Sequence, residues 1–106
     1  MAKSLTKFAF EVYEATKKVP QGHVATYLDI AKLIGRPHAY RAVGNALHHN
    51  PQMLTIPCHR IVSSSGRLAT NFGFNGKEGQ KELLEQEGVI VINYRVDLTT
   101  YRIRKI

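Results

Sequence analysis

The chain has 106 residues, which predicts a single domain over residues 1–106 with one modest hydrophobic core. Its one cysteine excludes a disulfide framework and favours a reducing compartment, and no apolar run approaches the roughly 20 residues of a membrane span. Fifteen Lys and Arg against eight Asp and Glu give a formal net charge of +7, which favours a polyanionic partner through Coulomb attraction.

Three helices are predicted in the first half of the chain. The first covers residues 4–18 with Ser4 as its N-cap, because apolar side chains recur there at steps of three and four. The second begins at Thr26, where Asp29 completes a capping box, and a glycine ends it. The third covers residues 37–48, with its proline in the first turn. Helices joined by a short glycine-containing turn are typical of a helix-turn-helix, although any helical hairpin has the same pattern.

The second half of the chain predicts a mixture of strands, loops and one further helix. Residues 53–62 are rich in β-formers, but Pro57 excludes an ordinary central strand. A loop follows, and a fourth helix is expected from residue 75 or 76 to the glycine at 88. Residues 89–92 and 94–103 are predicted as closing strands. The chain is therefore expected to form one α+β unit.

Cys58 is a candidate nucleophile. A thiol reacts as its thiolate, and His59 and Arg60 are adjacent cations that could stabilise that anion. The alternative is a buried structural cysteine that behaves as a small hydrophobe. Neighbours in an extended segment point to opposite faces, so His59 could act on Cys58 only through a bent backbone or a water.

Other candidate sites are weaker in the sequence alone. Five histidines show neither C-x-x-C nor H-x-x-x-H spacing, so we expect no metal site. Glu87 is either a solvated acid at a helix end or a group that orients a histidine. The helix at 37–48 has a face of small residues with Arg41 in it, which fits either close helix packing or docking into a DNA groove.

Three sequence blocks together resemble one known family. They are GHVATY at 22–27, RAVGNA at 41–46 and PCHRI at 57–61. In order and spacing they resemble the C-terminal, DNA-binding domain of the O(6)-alkylguanine-DNA alkyltransferases. The resemblance implies an α+β, mainly helical fold, a winged helix-turn-helix-like single domain of the alkyltransferase C-terminal type.

The resemblance also implies direct DNA repair that needs no cofactor and no metal. The damaged guanine would be flipped out of the duplex, and its alkyl group would pass irreversibly to the sulfur of Cys58. His59 would deprotonate the thiol through a water, and Glu87 would orient His59. Tyr27 would help to rotate the base outward, and Asn50 would tie together the turns around the site.

The helix at 37–48 resembles the family's recognition helix, which enters the minor groove. Arg41 would fill the space that the flipped base leaves. The DNA-binding residues that the resemblance implies are Thr26, Tyr27, Pro37, Ala39, Arg41, Ala42, Gly44, Asn45 and Arg60. The pocket for the alkylated base would be lined by Met53, Ile61, Ser64, Ser65 and Gly66. The expected partner is double-stranded DNA, with other repair proteins as further candidates and no membrane. We expect a monomer inside the cell, in the cytoplasm, nucleoid or nucleus.

Two departures from the family leave the activity open. The predicted first helix begins almost at Met1, so we expect the N-terminal domain of the alkyltransferases to be absent, and the loop at 71–76 is built differently. In length and in residues 79–88 the chain is similar to the alkyltransferase-like proteins, which bind the same lesions without repairing them and usually carry tryptophan instead of the cysteine. Three hypotheses therefore remain: a single-turnover alkyltransferase, a non-enzymatic lesion-binding protein, and a helix-turn-helix regulator with an inert cysteine.

Overall fold

Helices dominate the part of the chain that the computed structural model describes, residues 6–50 and 55–104. In chain order the elements are α1 (Lys7–Thr16), β1 (Ala25–Thr26), α2 (Tyr27–Leu33), a 3-10 turn (Pro37–Ala39), α3 (Tyr40–His48), a second 3-10 turn (Cys58–Arg60), β2 (Ile61–Val62), α4 (Gly76–Gln86), β3 (Val91–Ile92), β4 (Arg95–Val96) and α5 (Leu98–Tyr101). The mainly helical α+β class predicted from the sequence is confirmed. None of the described helices is long and apolar enough to cross a membrane.

The first three helices pack around one hydrophobic cluster. Val12 of α1, Ile30 of α2 and Val43 of α3 are each fully buried there. Cys58 belongs to the same cluster, so the packing of these helices also fixes the position of the thiol. Burial of apolar surface contributes about 25 cal/mol per Å², and this cluster therefore holds the helix pair α2 and α3 onto α1.

A short parallel pairing joins the two halves of the chain. β1 pairs with β2, with Ala25 opposite Ile61 and Thr26 opposite Val62. Because β1 leads directly into α2 and β2 follows the Cys58–Arg60 turn, this pairing places the start of α2 beside the cysteine.

The C-terminal part builds a second cluster on the other side of this pairing. β3 and β4 form an antiparallel hairpin, with Val91 opposite Val96 and Ile92 opposite Arg95. The hairpin packs its buried valines with Leu84 of α4 in a cluster that contains no residue of α1, α2 or α3.

The local signals near α2 and α4 predicted those helices correctly. The Thr26 hydroxyl accepts from the Asp29 amide at 3.0 Å and Asp29 Oδ2 accepts from the Thr26 amide at 2.9 Å, so the predicted capping box is confirmed. α4 begins at Gly76 as expected, and Gly88 adopts a φ of +89° just beyond its end.

Other predicted elements differ in the structure. Thr6 caps α1 with its hydroxyl, whereas the predicted cap Ser4 lies outside the described residues. The predicted helix at 37–48 begins as a 3-10 turn and becomes α-helical at Tyr40. The predicted strand at 94–103 is wrong beyond Val96, because Asp97 caps the short helix α5 by accepting from the Thr99 amide at 2.9 Å.

Candidate active site

Cys58 lies at the start of a tight turn rather than in a strand. Residues Cys58–Arg60 form a 3-10 turn, closed by the Arg60 amide donating to the Pro57 carbonyl at 3.0 Å. The side chain of Cys58 is buried, with 7% of the residue exposed. The turn supplies the bent backbone that the sequence required for His59 to act on a neighbouring cysteine.

His59 is held by a carboxylate from the end of α4. Its Nε2 lies 3.0 Å from Glu87 Oε2, and the His59 side chain is only 4% exposed. A hydrogen on Nε2 satisfies the carboxylate and leaves Nδ1 with a free lone pair. Nδ1 is buried and has no hydrogen-bond partner among the described residues. This tautomer therefore makes Nδ1 the basic atom of the ring.

Arg60 fixes the same carboxylate from its other side. Its Nε donates to Glu87 Oε1 at 2.9 Å and its Nη2 to Oε2 at 2.7 Å, while Nη1 donates to the Val19 carbonyl at 2.8 Å. A two-point arginine–carboxylate pair is directional as well as strong. It sets the orientation in which Glu87 meets His59.

The local environment shifts the proton affinities of these groups. Burial raises the pKa of the Cys58 thiol, and a hydrogen bond with Asn50 opposes that rise only in part. Burial lowers the pKa of His59 despite the opposing effect of Glu87. Burial would raise the pKa of Glu87, but the hydrogen bonds from Arg60 and His59 hold it below its ordinary value. At neutral pH the arrangement is thus a protonated thiol beside a neutral imidazole and a carboxylate.

Asn50 and two tyrosines complete the surroundings of the thiol. Asn50 Nδ2 donates to the Ile56 carbonyl at 2.9 Å, which ties the end of α3 to the turn before Cys58. Tyr13 belongs to the hydrophobic cluster that contains Cys58, and Tyr27 packs against that cluster. Burial raises the pKa of both tyrosines, and a negative charge on Cys58 would raise it further.

Two residues of this site were not predicted from the sequence. Tyr13 donates its hydroxyl hydrogen to the Ala46 carbonyl at 2.8 Å and so links α1 to α3. Gln80 is fully buried on α4, where its Nε2 donates to the carbonyls of His59 and Ile61 at 3.1 and 3.0 Å. In the sequence, Gln80 is one polar residue in a helix rich in polar residues, and nothing there indicates that it is buried.

The predicted DNA-binding residues fall mostly on one exposed face. Arg41, Ala42 and Asn45 of α3 are exposed, as is Pro37, while Ala39 is half-buried. Gly44 faces the ring of Tyr27, and a Cβ there would lie 3.7 Å from that ring. Tyr27 is half-buried and packs against the hydrophobic cluster that contains Cys58.

Thr26 and Arg60 are placed differently from the other predicted DNA-binding residues. Thr26 is 3% exposed and its hydroxyl caps α2. Arg60 is turned inward, with its guanidinium committed to Glu87 and Val19. Both side chains therefore have a structural contact within the fold, and a contact of either residue with DNA stays a prediction.

The four predicted pocket residues that the structure describes differ in their surroundings. Ile61 is 1% exposed and belongs to the hydrophobic cluster of the helices. Gly66 is packed against β4, where a Cβ would lie 2.2 Å from the Val96 carbonyl oxygen, and Ser64 and Ser65 are exposed in the turn before it. Met53 lies outside the described residues. Within residues 6–50 and 55–104 no three His, Cys, Asp or Glu side chains are grouped to hold a metal.

Comparison with protein-family models gives a match over most of the chain. Residues 7–89 match the model described as "6-O-methylguanine DNA methyltransferase, DNA binding domain". The chain is 34% identical over 99 residues to alkyltransferase-like protein 1 of Schizosaccharomyces pombe, covering 93% of this chain and 90% of that protein. It is 42% identical over 83 residues to a methylated-DNA–protein-cysteine methyltransferase of Methanosarcina acetivorans, covering 78% of this chain but 52% of that protein.

Solved structures show the same two kinds of relative. The S. pombe alkyltransferase-like protein, in complex with damaged DNA containing O6-carboxymethylguanine, aligns with a TM-score of 0.87 at 31% identity, over 97% of this chain and 100% of that one. The OGT protein of Mycobacterium tuberculosis, in complex with DNA, aligns with a TM-score of 0.75 at 40% identity, over 80% of this chain and 51% of that one. The predicted alkyltransferase C-terminal fold is thereby confirmed.

Proposed function

The chain belongs to the O6-methylguanine DNA methyltransferase family, and from that premise we propose that it repairs O6-alkylguanine in DNA by moving the alkyl group onto Cys58. The observation that carries this proposal is the contact of His59 Nε2 with Glu87 at 3.0 Å beside a retained cysteine. A nucleophile, a base and a group that orients the base are the components of nucleophilic catalysis. An inert structural cysteine would need none of them.

The transfer step follows from the protonation states of the site. Neutral His59 accepts the thiol proton at Nδ1 through one water, and the sulfur attacks the alkyl carbon of the lesion. A sulfur–carbon bond forms as the carbon–O6 bond breaks, and the electron pair of the broken bond stays on the guanine. The proton taken from the thiol is returned to the guanine. The products are S-alkylcysteine and guanine, so no cofactor is consumed and each chain reacts once.

The exposed face of α3 supports DNA as the molecule that contains the alkylated guanine. The target O6 is hidden in the base stack, so the base must leave the duplex before sulfur can reach it. Arg41 is exposed on this face, and Tyr27 lies beside Gly44 of α3 and packs against the cluster that contains Cys58. The small side chain of Ala42 on this exposed face allows the helix backbone to approach a narrow groove closely.

A second function, lesion binding without transfer, is favoured by one specific observation. The structure aligns with the S. pombe alkyltransferase-like protein with a TM-score of 0.87, which is higher than the 0.75 for the OGT protein of M. tuberculosis. The chain spans about half the length of the methyltransferases that it matches. In this alternative the same face of α3 would bind the lesion, and Cys58 would remain unmodified.

Intact-mass measurement separates the two functions. The chain is incubated with a duplex that carries one O6-methylguanine and, as a control, with the same duplex carrying guanine. Transfer predicts that the protein gains the mass of one methyl group with the lesion duplex only. Since the chain has a single cysteine, peptide mapping can assign that group without ambiguity. Preferential binding of the lesion duplex with unchanged protein mass would establish the second function instead.

The pH dependence of transfer tests the role of His59. Its pKa is lowered from the ordinary 6.5, so the neutral base is fully present at neutral pH and is lost as the pH falls. We therefore expect a single-turnover rate that is flat from about pH 7 to 8.5 and declines only below the ordinary histidine pKa of 6.5. A rate that rises tenfold per pH unit between 7 and 8.5 would instead show that free thiolate limits the reaction and that His59 is not the base.

A further inference from the structure

The outer face of the C-terminal hairpin forms a groove remote from the cysteine. It encloses about 820 Å³, and its lining includes Arg67, Ile90, Ile92, Arg95, Asp97 and Tyr101. We call it the hairpin groove. No residue of α2, α3 or the Cys58–Arg60 turn lines it. We propose that the hairpin groove binds a protein segment that presents acidic side chains beside apolar ones.

The first observation is an inversion of the usual strand pattern. Val91 and Val96 face the core at 8% and 1% exposure, as one face of a hairpin should. The opposite face normally carries polar side chains, but here Ile90 and Ile92 are 62% and 68% exposed. Two large aliphatic side chains on the same solvent face offer an apolar contact that the chain itself leaves uncovered in the described structure.

The second observation is a pair of like charges at the side of this face. Arg67 lies opposite Arg95 in an antiparallel bridge. The backbone amides of Leu68 and Val96 donate to the carbonyls of Tyr94 and Gly66 on either side of this bridge. Arg67 and Arg95 are therefore a non-hydrogen-bonded antiparallel pair, the kind in which the two side chains are closer together. Like charges directly opposite each other destabilise a sheet. Neither arginine forms an ion pair with any acid of the described residues.

The acid in the groove does not neutralise this pair. Asp97 directs Oδ1 to the Thr99 amide at 2.9 Å and Oδ2 to the Thr100 hydroxyl at 3.0 Å. Both of its oxygens are therefore engaged at the start of α5. The groove keeps an excess of positive charge, which is complementary to acidic side chains of a partner.

These features together favour a protein segment over nucleic acid. DNA phosphates would match Arg67 and Arg95, but a phosphate backbone offers little to cover the exposed isoleucines. A segment with Asp or Glu next to Leu, Ile, Val or Phe would pair with the two arginines and also cover the two exposed isoleucines. This inference does not depend on whether Cys58 accepts an alkyl group.

Selection from a phage-displayed library of random linear peptides tests the proposal on the full chain. The expected result is enrichment of sequences with acidic residues beside apolar ones. Synthetic versions of the enriched peptides should bind at least about tenfold more weakly to Arg67→Gln/Arg95→Gln and to Ile90→Thr/Ile92→Thr. Lys17→Gln/Lys18→Gln removes the same charge from the exposed end of α1 and should leave peptide affinity unchanged.

Three outcomes would overturn the proposal. One is an enrichment pattern that is the same on wild-type protein and on the Ile90→Thr/Ile92→Thr variant. Another is a loss of duplex DNA affinity in Arg67→Gln/Arg95→Gln that exceeds the loss in Lys17→Gln/Lys18→Gln, which would assign the arginines to phosphate. The third is a dimer in sedimentation that dissociates in the isoleucine variant, which would make a second copy the occupant.

Discussion

Cys58→Ser is expected to abolish alkyl transfer completely and to leave lesion binding within about threefold of the wild-type affinity. A serine hydroxyl has nearly the same size, so the buried site keeps its packing. Its oxygen is far less acidic than a thiol and is a much weaker nucleophile, so the adjacent His59 cannot make it reactive enough. Binding depends on the exposed face of α3, which this substitution does not touch.

The measurement combines intact mass with the affinity for lesion and undamaged duplexes. The expected pattern is a methyl gain in the wild type, none in Cys58→Ser, and the same preference for the lesion in both. Methyl uptake by Cys58→Ser would place the acceptor elsewhere and contradict the mechanism. Loss of lesion preference in the variant, with its thermal stability unchanged, would mean that the sulfur itself reads the lesion.

The sequence predicted correctly those helix ends that are determined by residues close together in the chain. Thr26 and Asp29 are three residues apart and satisfy each other's backbone amides, so a pattern of two residues specifies the start of α2. Gly35 and Gly88 end helices with φ of +76° and +89°, which glycine adopts without a steric penalty. These interactions require no knowledge of the tertiary fold.

The hairpin shows why the C-terminal region was predicted less well. Asn93 and Tyr94 both adopt positive φ, 52° and 58°, which reverses the chain between β3 and β4. Asparagine is common in such turns, but a tyrosine is not. Asp97 then starts α5 where apolar alternation favoured a longer strand. Tertiary context decided both points.

The residues of the candidate site also divide into those whose contacts were expected and those whose contacts only the fold reveals. The pairing of His59 with Glu87 spans 28 positions, and it was expected from the family resemblance rather than from spacing. Arg60 illustrates the limit, because its position beside the cysteine suggested that it stabilises the thiolate, whereas the fold turns its guanidinium onto Glu87. Gln80 acts through backbone carbonyls of the cysteine segment, which no side-chain motif reveals.

Glu87→Gln is expected to reduce both the stability of the protein and its transfer rate, through separate contacts. Glu87 is 13% exposed and receives hydrogen bonds from Arg60 and His59. An amide loses the charge that compensates the buried guanidinium, which costs about 2–3 kcal/mol for a charged contact of this kind. For a domain of this size the melting temperature should fall by roughly 10–20 °C.

The rate should fall by about 100- to 10,000-fold at a temperature where the variant is folded. The carboxylate of Glu87 can only accept, and so it keeps the hydrogen of His59 on Nε2 and the lone pair on Nδ1. A glutamine can also donate, which allows the opposite tautomer and removes the base. The surviving reaction must then use free thiolate, so its rate should rise with pH between 7 and 8.5, where the wild-type rate is flat.

Arg60→Lys provides the matched control, because it keeps the positive charge but loses the two-point contact with Glu87 and the bond to Val19. It should also lower the melting temperature and the rate, because Glu87 is then oriented less precisely. The carboxylate can still accept only, so the pH profile should stay flat. If both variants lost stability and rate in proportion and kept the wild-type pH profile, Glu87 would serve only to hold the fold. A changed pH profile in Glu87→Gln alone assigns Glu87 to the orientation of the base.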